Sequence, residues 1–431
     1  MKTSILKFTI ILLCLQGFLM AATIKHLEIN KVKIPVVFEK DTNLPIMNLQ
    51  LVFKNSGYIQ DNEKSGTASI SAKLLNEGTK KLGATKFAQK LENSAISLHT
   101  STGFETFVIE LSSIKDVHTK ALSLLKDLLK DPNYDEKTIE KIKTIQTGSL
   151  RRKENDFDYI ASKNLKKLIF KDTPLEKPSS GTIESISKLN LNDVKKFLDS
   201  TLDLNNLIIV VGGDFNYDEI ISEIKPILEV LNNKKENTLK EITIKSENKT
   251  KTLLKETEQA YVYFGSPFYV NVKDKNAYMA KVASFILGGS GFGSRLMEEI
   301  RVKRGLAYSA YGYVSMNKSH SYFTGYLQTK LESADEAKNL VSSIIDTFLK
   351  EGVTKEELVA AKNFLLGSEP LRTETLSQRL NRAFTLFYRG LKQEQTKIDL
   401  EKIENLKLED LNNYIKSHKE IKNLSFSIVR K

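Results

Sequence analysis

From Ile46 the chain reads IMNLQLVFK, an apolar run of strand character. A helix is predicted over Thr67 to Asn76 and a second near Lys86 to Asn93. The alternation in ISLHTSTGFETFVIELSSI, Ile96 to Ile114, predicts two strands. Apolar residues at helical spacing follow from Val117 to Lys130, and a long helix is expected from about Asp135.

The same order returns after residue 258. YVYFGSPFYV reads as a strand, Asn276 to Leu287 and Ser294 to Lys303 as helices, and LAYSAYGYVSM and SYFTGYLQTK as strands. Helix Ala334 to Lys350 and another from Lys355 complete the unit. YDEKTIEKIK from Tyr134 is echoed by VTKEELVAAK from Val353, 219 positions later. An internal duplication follows, and a unit this long implies two similar domains rather than a stacked array. Each half closes on a strand-like run, NLIIVVGGDF at Asn206 to Phe215 and NLSFSIVRK at the C-terminus. Between the halves, residues 232–251 are polar and Lys-rich and read as a linker with a short strand in it.

Length agrees with two domains, because 431 residues exceed what one ordinary core organises. Lys2 and Lys7 precede an apolar run, Phe8 to Met20, that ends in Ala21 and Ala22, the layout of a secretory signal peptide. Export to the periplasm with cleavage near Ala22 is expected, the alternative being an uncleaved anchor. The expected division is therefore a signal peptide at 1–22, domains at 23–231 and 252–431, and the linker at 232–251. Cys14, the one cysteine, lies in the leader and follows Leu13, where lipidation would want a small side chain. The mature chain thus has no disulfide and no thiolate metal ligand. The net charge of +12 is dispersed as Lys mixed with Glu on helix faces, with no arginine patch interleaved with aromatics. That pattern argues for solvated surface, with a preference for acidic partners as the alternative, and against single-strand nucleic-acid binding.

Candidate chemistry concentrates in GGSGFGSRLMEEIRVKRGLAYSAYGY, Gly288 to Tyr313, where a glycine cluster precedes Arg301 and Tyr308, seven residues apart. Gly288, Gly289, Gly291 and Gly293 lack the lysine-threonine pair of a phosphate loop and the context of a dinucleotide fingerprint. They suit positive backbone φ and the close approach of another chain, as a substrate-handling loop or simply as a turn between helices. The five histidines are never closer than 19 residues, so no helix presents two at metal spacing.

GTASISAKLLNEGT from Gly66, KLIF from Lys167, GTIESISKL from Gly181, LIIVVGGDF from Leu207 and the Gly288 to Tyr313 stretch together resemble the processing-peptidase branch of the insulinase, or pitrilysin, zinc metallopeptidases. The resemblance implies an α+β fold of two homologous domains, each a mostly antiparallel sheet with helices packed on one face. Active members carry HxxEH on the first helix. Two His four apart share Zn²⁺ there, and the Glu beside them acts as base toward the metal-bound water. Aligning Gly66 and Gly78-Thr79 with the motif's flanks puts Ser69, Ala72 and Lys73 at the His, Glu and His positions. The family's third ligand, a Glu roughly 75 residues on in the long helix, falls at Ser149. Ser ligates zinc poorly, Ala moves no proton, and the Lys73 ammonium repels a dication.

The family's Arg and Tyr, which hold substrate and donate to the oxyanion, match Arg301 and Tyr308. A purely structural alternative pairs Arg301 with Glu298 or Glu299 and packs Tyr308 in a sheet. The resemblance therefore implies a non-catalytic subunit that supplies Arg and Tyr and no cofactor of its own. Its expected partner is a zinc-bearing insulinase-family chain that hydrolyses peptides or unfolded segments. The alternative is a peptide-binding or structural scaffold without a role in proteolysis. A third reading, an active zinc peptidase, requires stoichiometric zinc in this chain.

Overall fold

In the computed structural model, residues 22–431 except Asn62 are described. The expected signal segment lies outside the described residues but for Ala22. Eleven strands build two sheets among the described residues. The first contains β1 (Thr23–Ile29), β2 (Val32–Lys40), β3 (Ile46–Lys54), β4 (Ser97–Thr102), β5 (Thr106–Ile114) and β6 (Leu207–Gly213), in the order β1-β2-β6-β3-β5-β4. The second contains β7 (Thr250–Leu254), β8 (Gln259–Pro267), β9 (Ala307–Met316), β10 (Ser321–Lys330) and β11 (Ser425–Arg430), in the order β7-β11-β8-β10-β9. Only β2/β6 and β7/β11 pair in parallel. Apart from the additional edge strand β1, the two sheets are built to one plan.

Each sheet has a helix-covered face that forms the main core of its half. Alternation along β3 sends Met47, Leu49, Leu51 and Phe53 into the first core, and Phe264, Phe323 and Leu327 fill the second. Strand β6 does not alternate, because every residue of LIIVVGG is buried. A strand reads as a continuous apolar run when both of its faces are covered.

The second cover comes from the other half. Helix Leu376–Tyr388 lies across the far face of the first sheet, setting Leu376, Leu380 and Ala383 against Val37, Val52, Ile208 and Val210. Helix Phe157–Ile169 does the reverse, packing Leu165 and Ile169 beside Tyr263 and Tyr322 of the second sheet. The two helices have 13 residues each, begin 219 positions apart, and are capped by Asp156 and Thr375. The expectation of helices on one face thus gains a swapped helix on the other. These far-face strand positions are apolar and need a cover that their own half does not provide. Arg379 on the 376–388 helix also engages Glu39 and Asp41 at the end of β2.

Residues 232–251 are more firmly held than their composition suggests. Ile244 is buried among Leu165, Ile169 and Phe170, and the Ile242 N–H donates to the Ser319 carbonyl at 2.8 Å. Two short apolar residues suffice to strap a lysine-rich segment to the swapped helix. The helices expected at Asn276 to Leu287 and Ser294 to Lys303 are each divided. Ala277–Ser284 continues as a π-turn, Phe285–Gly289, and Arg295–Met297 as another, Glu298–Val302. Such turns recur at functional sites.

Candidate functional site

Helix Thr67–Leu75 carries the positions where the resemblance would place zinc ligands. Its first turn is held by Asp61, whose carboxylate accepts from the Gly66 and Ala68 N–H groups at 2.7 and 2.8 Å. Burial pushes the Asp61 carboxyl up to about 7, against the opposing pull of those two bonds. Ser69 is half-buried and Ala72 only 4% exposed. The Lys73 ammonium donates to Gln146 Oε1 on helix Glu136–Lys153, and Gln146 Nε2 donates to the Ser180 carbonyl at 2.7 Å. Burial, and then the charge of Lys153, hold the Lys73 pKa below its usual value. A lysine–glutamine contact therefore joins the two helices that the resemblance would join through zinc.

The resemblance places the third ligand position at Ser149 on the same helix. The residue that meets Lys73 is Gln146, one turn before Ser149, which is half-buried. Neither carries a carboxylate. Among the described residues no three His, Cys, Asp or Glu side chains come together in a way that could hold a metal ion. Three of the five histidines have structural partners, while His26 and His99 are exposed. His118 pairs with Glu223 and His418 with Glu420, while His320, in the β9–β10 turn, is buried against Phe104, Phe170 and Tyr322.

The second half of the site is built on β9. Ala310 faces Leu327 and Ala307 faces Thr329, so β9 holds one more residue than β10 across this interval. That bulge resets the alternation. Ala307 is buried at 7% exposure and Tyr308, its neighbour, is 80% exposed. Without the extra residue, Tyr308 would share the covered face with Ala310 and Gly312. Bulges turn side chains in this way beside active sites.

Arg301 lies in the π-turn just before β9. Its guanidinium carbon sits over the Tyr308 ring at 4.5 Å and over the Phe292 ring at 4.6 Å. The structural alternative, pairing with Glu298 or Glu299, does not occur: neither acid forms an ion pair with Arg301, and the Glu299 carboxylate is taken by Lys303 and Arg304, each at 2.6 Å. Arg295 is likewise committed, in a two-pronged contact with Glu357. Among the described residues Arg301 has no carboxylate within ion-pair distance.

The glycine loop makes this cluster possible. A Cβ on Gly288 would lie 2.6 Å from the Gly312 nitrogen and 2.7 Å from its oxygen, so only glycine lets the loop close onto β9. Gly291 and Gly293, at φ +69° and +88°, flank Phe292 and turn its exposed ring toward Arg301. The Ser294 hydroxyl donates to the Gly291 carbonyl at 2.7 Å and pins the turn, while Gly289 packs against the Ser284 carbonyl. The loop is thus both a turn between helices and a wall of the Arg301 site. The sequence reading missed Phe292, whose signal was an aromatic enclosed by glycines in GGSGFG. It also missed Gln146, which carries no signal of its own.

Two family descriptions divide the chain, Insulinase (Peptidase family M16) over residues 35–183 and Peptidase M16 inactive domain over residues 188–365. The chain is 42% identical over 411 residues to a protein of Helicobacter pylori named Non-peptidase homolog YmxG, covering 95% of each. The chain belongs to the insulinase family, peptidase family M16. Its fold matches the crystal structure of a peptidase M16 inactive domain from Pseudomonas fluorescens, with a TM-score of 0.86, 21% identity and coverage of 95% of this chain and 98% of that one. It also matches a protease from Helicobacter pylori, with a TM-score of 0.83, 18% identity and coverage of 95% and 100%. Within the M16 family the chain is similar to members described as inactive or non-peptidase, in keeping with Ser69, Ala72 and Lys73 at the positions where the resemblance expects the motif. Among the described residues no helix is long and apolar enough to cross a membrane.

Proposed function

We propose that this M16 homologue is the substrate-engaging subunit of an exported two-chain peptidase. It presents Arg301 and Tyr308 to peptides that a zinc-bearing M16 partner hydrolyses. The observation that carries the reading is Arg301 itself, an arginine without an ion-pair partner among the described residues, over two exposed rings. An arginine set against exposed aromatic rings is the combination enriched at binding hot spots, so their arrangement favours binding. The Tyr308 hydroxyl, on the free end of a ring held by its face, can donate to an oxyanion, and Arg301 can grip the peptide beside it. Activation of water belongs to the metal-bearing partner.

A comparison within one organism supports a division of labour. Helicobacter pylori has both a non-peptidase homologue 42% identical to this chain and a protease with the same fold. Lys2, Lys7 and the apolar run Phe8 to Met20 support the export that this proposal includes.

The test is co-expression of the mature chain with an M16 chain bearing an intact HxxEH, followed by hydrolysis of quenched fluorescent peptides. The pair should cleave faster than the partner alone. Arg301→Ala or Tyr308→Phe should remove the gain while the two chains still co-elute. A pair no faster than its zinc subunit would sink this reading and leave that of a binding scaffold.

A further inference from the structure

The Arg301 cluster has a chemistry narrower than general peptide binding. Its rings lie against the guanidinium carbon, so contact is made through ring faces. Cation–ring contact of this kind uses the face of the guanidinium plane and leaves its N–H edge available. A guanidinium edge is a fork of parallel donors that matches the two oxygens of a carboxylate, whereas a lone carbonyl oxygen uses only part of it. Of the two acids that could have neutralised Arg301 internally, Glu299 is held by Lys303 and Arg304, and Glu298 forms no ion pair with it. Glu357 is held by Arg295. Arg301 therefore lies against two rings with no ion-pair partner among the described residues.

The surroundings favour an anion with apolar flanks. Phe292 is 68% exposed, and Val302, next to Arg301 in the chain, is exposed as well. The loop that carries Phe292 is anchored to β9 at Gly288, against Gly312, and at Gly291, whose Cβ position is 3.5 Å from the Tyr311 ring. Both rings of the cradle thus depend on one strand and keep their spacing around Arg301.

We propose that Phe292, Arg301 and Tyr308 form a receptor for a carboxylate of the bound peptide, either an Asp or Glu side chain or the C-terminal carboxylate. Arg301 is the ligand-binding group. Phe292 is a positioning residue, holding the guanidinium so that its edge faces the peptide. The inference rests on the reading of this surface as a peptide site, and it names the group that the site selects.

The experiment uses the mature chain without a partner, so that it is independent of whether proteolysis occurs. Fluorescent ten-residue peptides of one scrambled apolar-polar sequence are titrated by anisotropy in four forms. One has a central Glu and a C-terminal amide, the second a central Gln and a free C-terminus, the third both carboxylates, and the fourth neither. A carboxylate that engages the fork should tighten binding about tenfold over its amide, and the form that gains identifies the source. Arg301→Gln should erase the difference between acid and amide, and Arg301→Lys should recover only part of it. Phe292→Ala should shrink the difference about threefold and Phe292→Tyr restore it, with unchanged melting temperatures showing intact folds.

Equal affinity for all four peptides would overturn the carboxylate inference while leaving a backbone-binding site intact. An acid preference that persists in Arg301→Gln would overturn it by assigning the selectivity to the dispersed lysines. Acid-selective binding together with an inactive co-expressed pair would uphold this inference and reject the proteolytic reading alone.

Discussion

Arg301 lies over the Tyr308 ring at 4.5 Å because one extra residue in β9 turns that ring away from the covered face of its sheet. The seven-residue spacing spans the end of a π-turn, the Gly305 turn and the start of a bulged strand. Neither residue alone defines the site. The guanidinium needs the bulge, and the exposed ring needs a cation to cover.

Tyr308→Phe keeps the ring over Arg301 and removes only the hydroxyl. In a pair reconstituted with a zinc-bearing partner, kcat should fall about 100- to 1,000-fold with KM little changed, the signature of a lost oxyanion donor. Arg301→Ala should also raise KM. Steady-state kinetics on a single peptide substrate separates the two. A Tyr308→Phe pair with full kcat would remove the hydroxyl from the chemistry.

Two glycines in one loop should respond differently to the same change. Gly288→Ala forces a methyl into the backbone of Gly312 and should cost about 1–3 kcal/mol, as overpacking does. Gly293→Ala meets nothing within 4 Å but must hold φ +88°, a strain of about 1 kcal/mol. Chemical denaturation gives both values, and Gly288→Ala should be the more destabilising.

The sequence carried much of this site and little of what supports it. Arg301, Tyr308 and the glycines are legible because their types and spacing are themselves the signal, whereas Ser69, Ala72 and Lys73 are placed only by the resemblance, through the glycines that flank them. Whether Tyr308 faces the core or solvent depends on pairing between β9 and β10, which period-two alternation along β9 alone misjudges. The duplication is visible in the order of elements. The swap of helices Phe157–Ile169 and Leu376–Tyr388 is not, because an amphipathic helix shows that it covers an apolar surface without showing whose. Ile244 was hidden for a similar reason, as one apolar residue among lysines carries no periodicity.

The swapped helices should make the two halves one cooperative unit. Glu39, 2% exposed, is held by Arg379 from the other half, and burial raises its pKa against that pairing. Arg379→Ala leaves the Glu39 carboxylate buried and unpaired and should cost about 3–5 kcal/mol. Combining Arg379→Met with Glu39→Leu should recover most of the loss. Urea denaturation of the single and double variants checks this, and equal destabilisation by both would assign the effect to packing.

His320 sets an acid limit on the same interface. It is 7% exposed, and burial lowers its pKa from an ordinary 6.5 to about 4, partly offset by Glu105. Between these values the unfolded chain binds a proton that the folded chain excludes. The His320 contribution to stability is therefore full above pH 6.5, falls as pH drops from 6.5 to 4, and changes no further below that, a loss of roughly 3 kcal/mol at most. His320→Phe keeps a ring against Phe104 and Tyr322 and should flatten this part of the acid limb in melting temperature measured from pH 4 to 7. An unchanged slope would place the titration elsewhere.

The altered zinc site is itself testable by restoring it. Ser69→His, Ala72→Glu and Lys73→His together supply two imidazoles four apart on helix Thr67–Leu75, lacking only the long-helix acid. Adding either Gln146→Glu or Ser149→Glu completes a ligand set, and the two choices ask which turn of helix Glu136–Lys153 faces the motif. Gln146, already in contact with Lys73, is the position the side-chain geometry favours. Elemental analysis of the purified proteins should find about one zinc in the variant with the correct acid and little in the other. The unaltered chain should carry none, since the Lys73 ammonium occupies the surface that a dication would need. One zinc per unaltered chain would overturn the assignment of this homologue as non-catalytic.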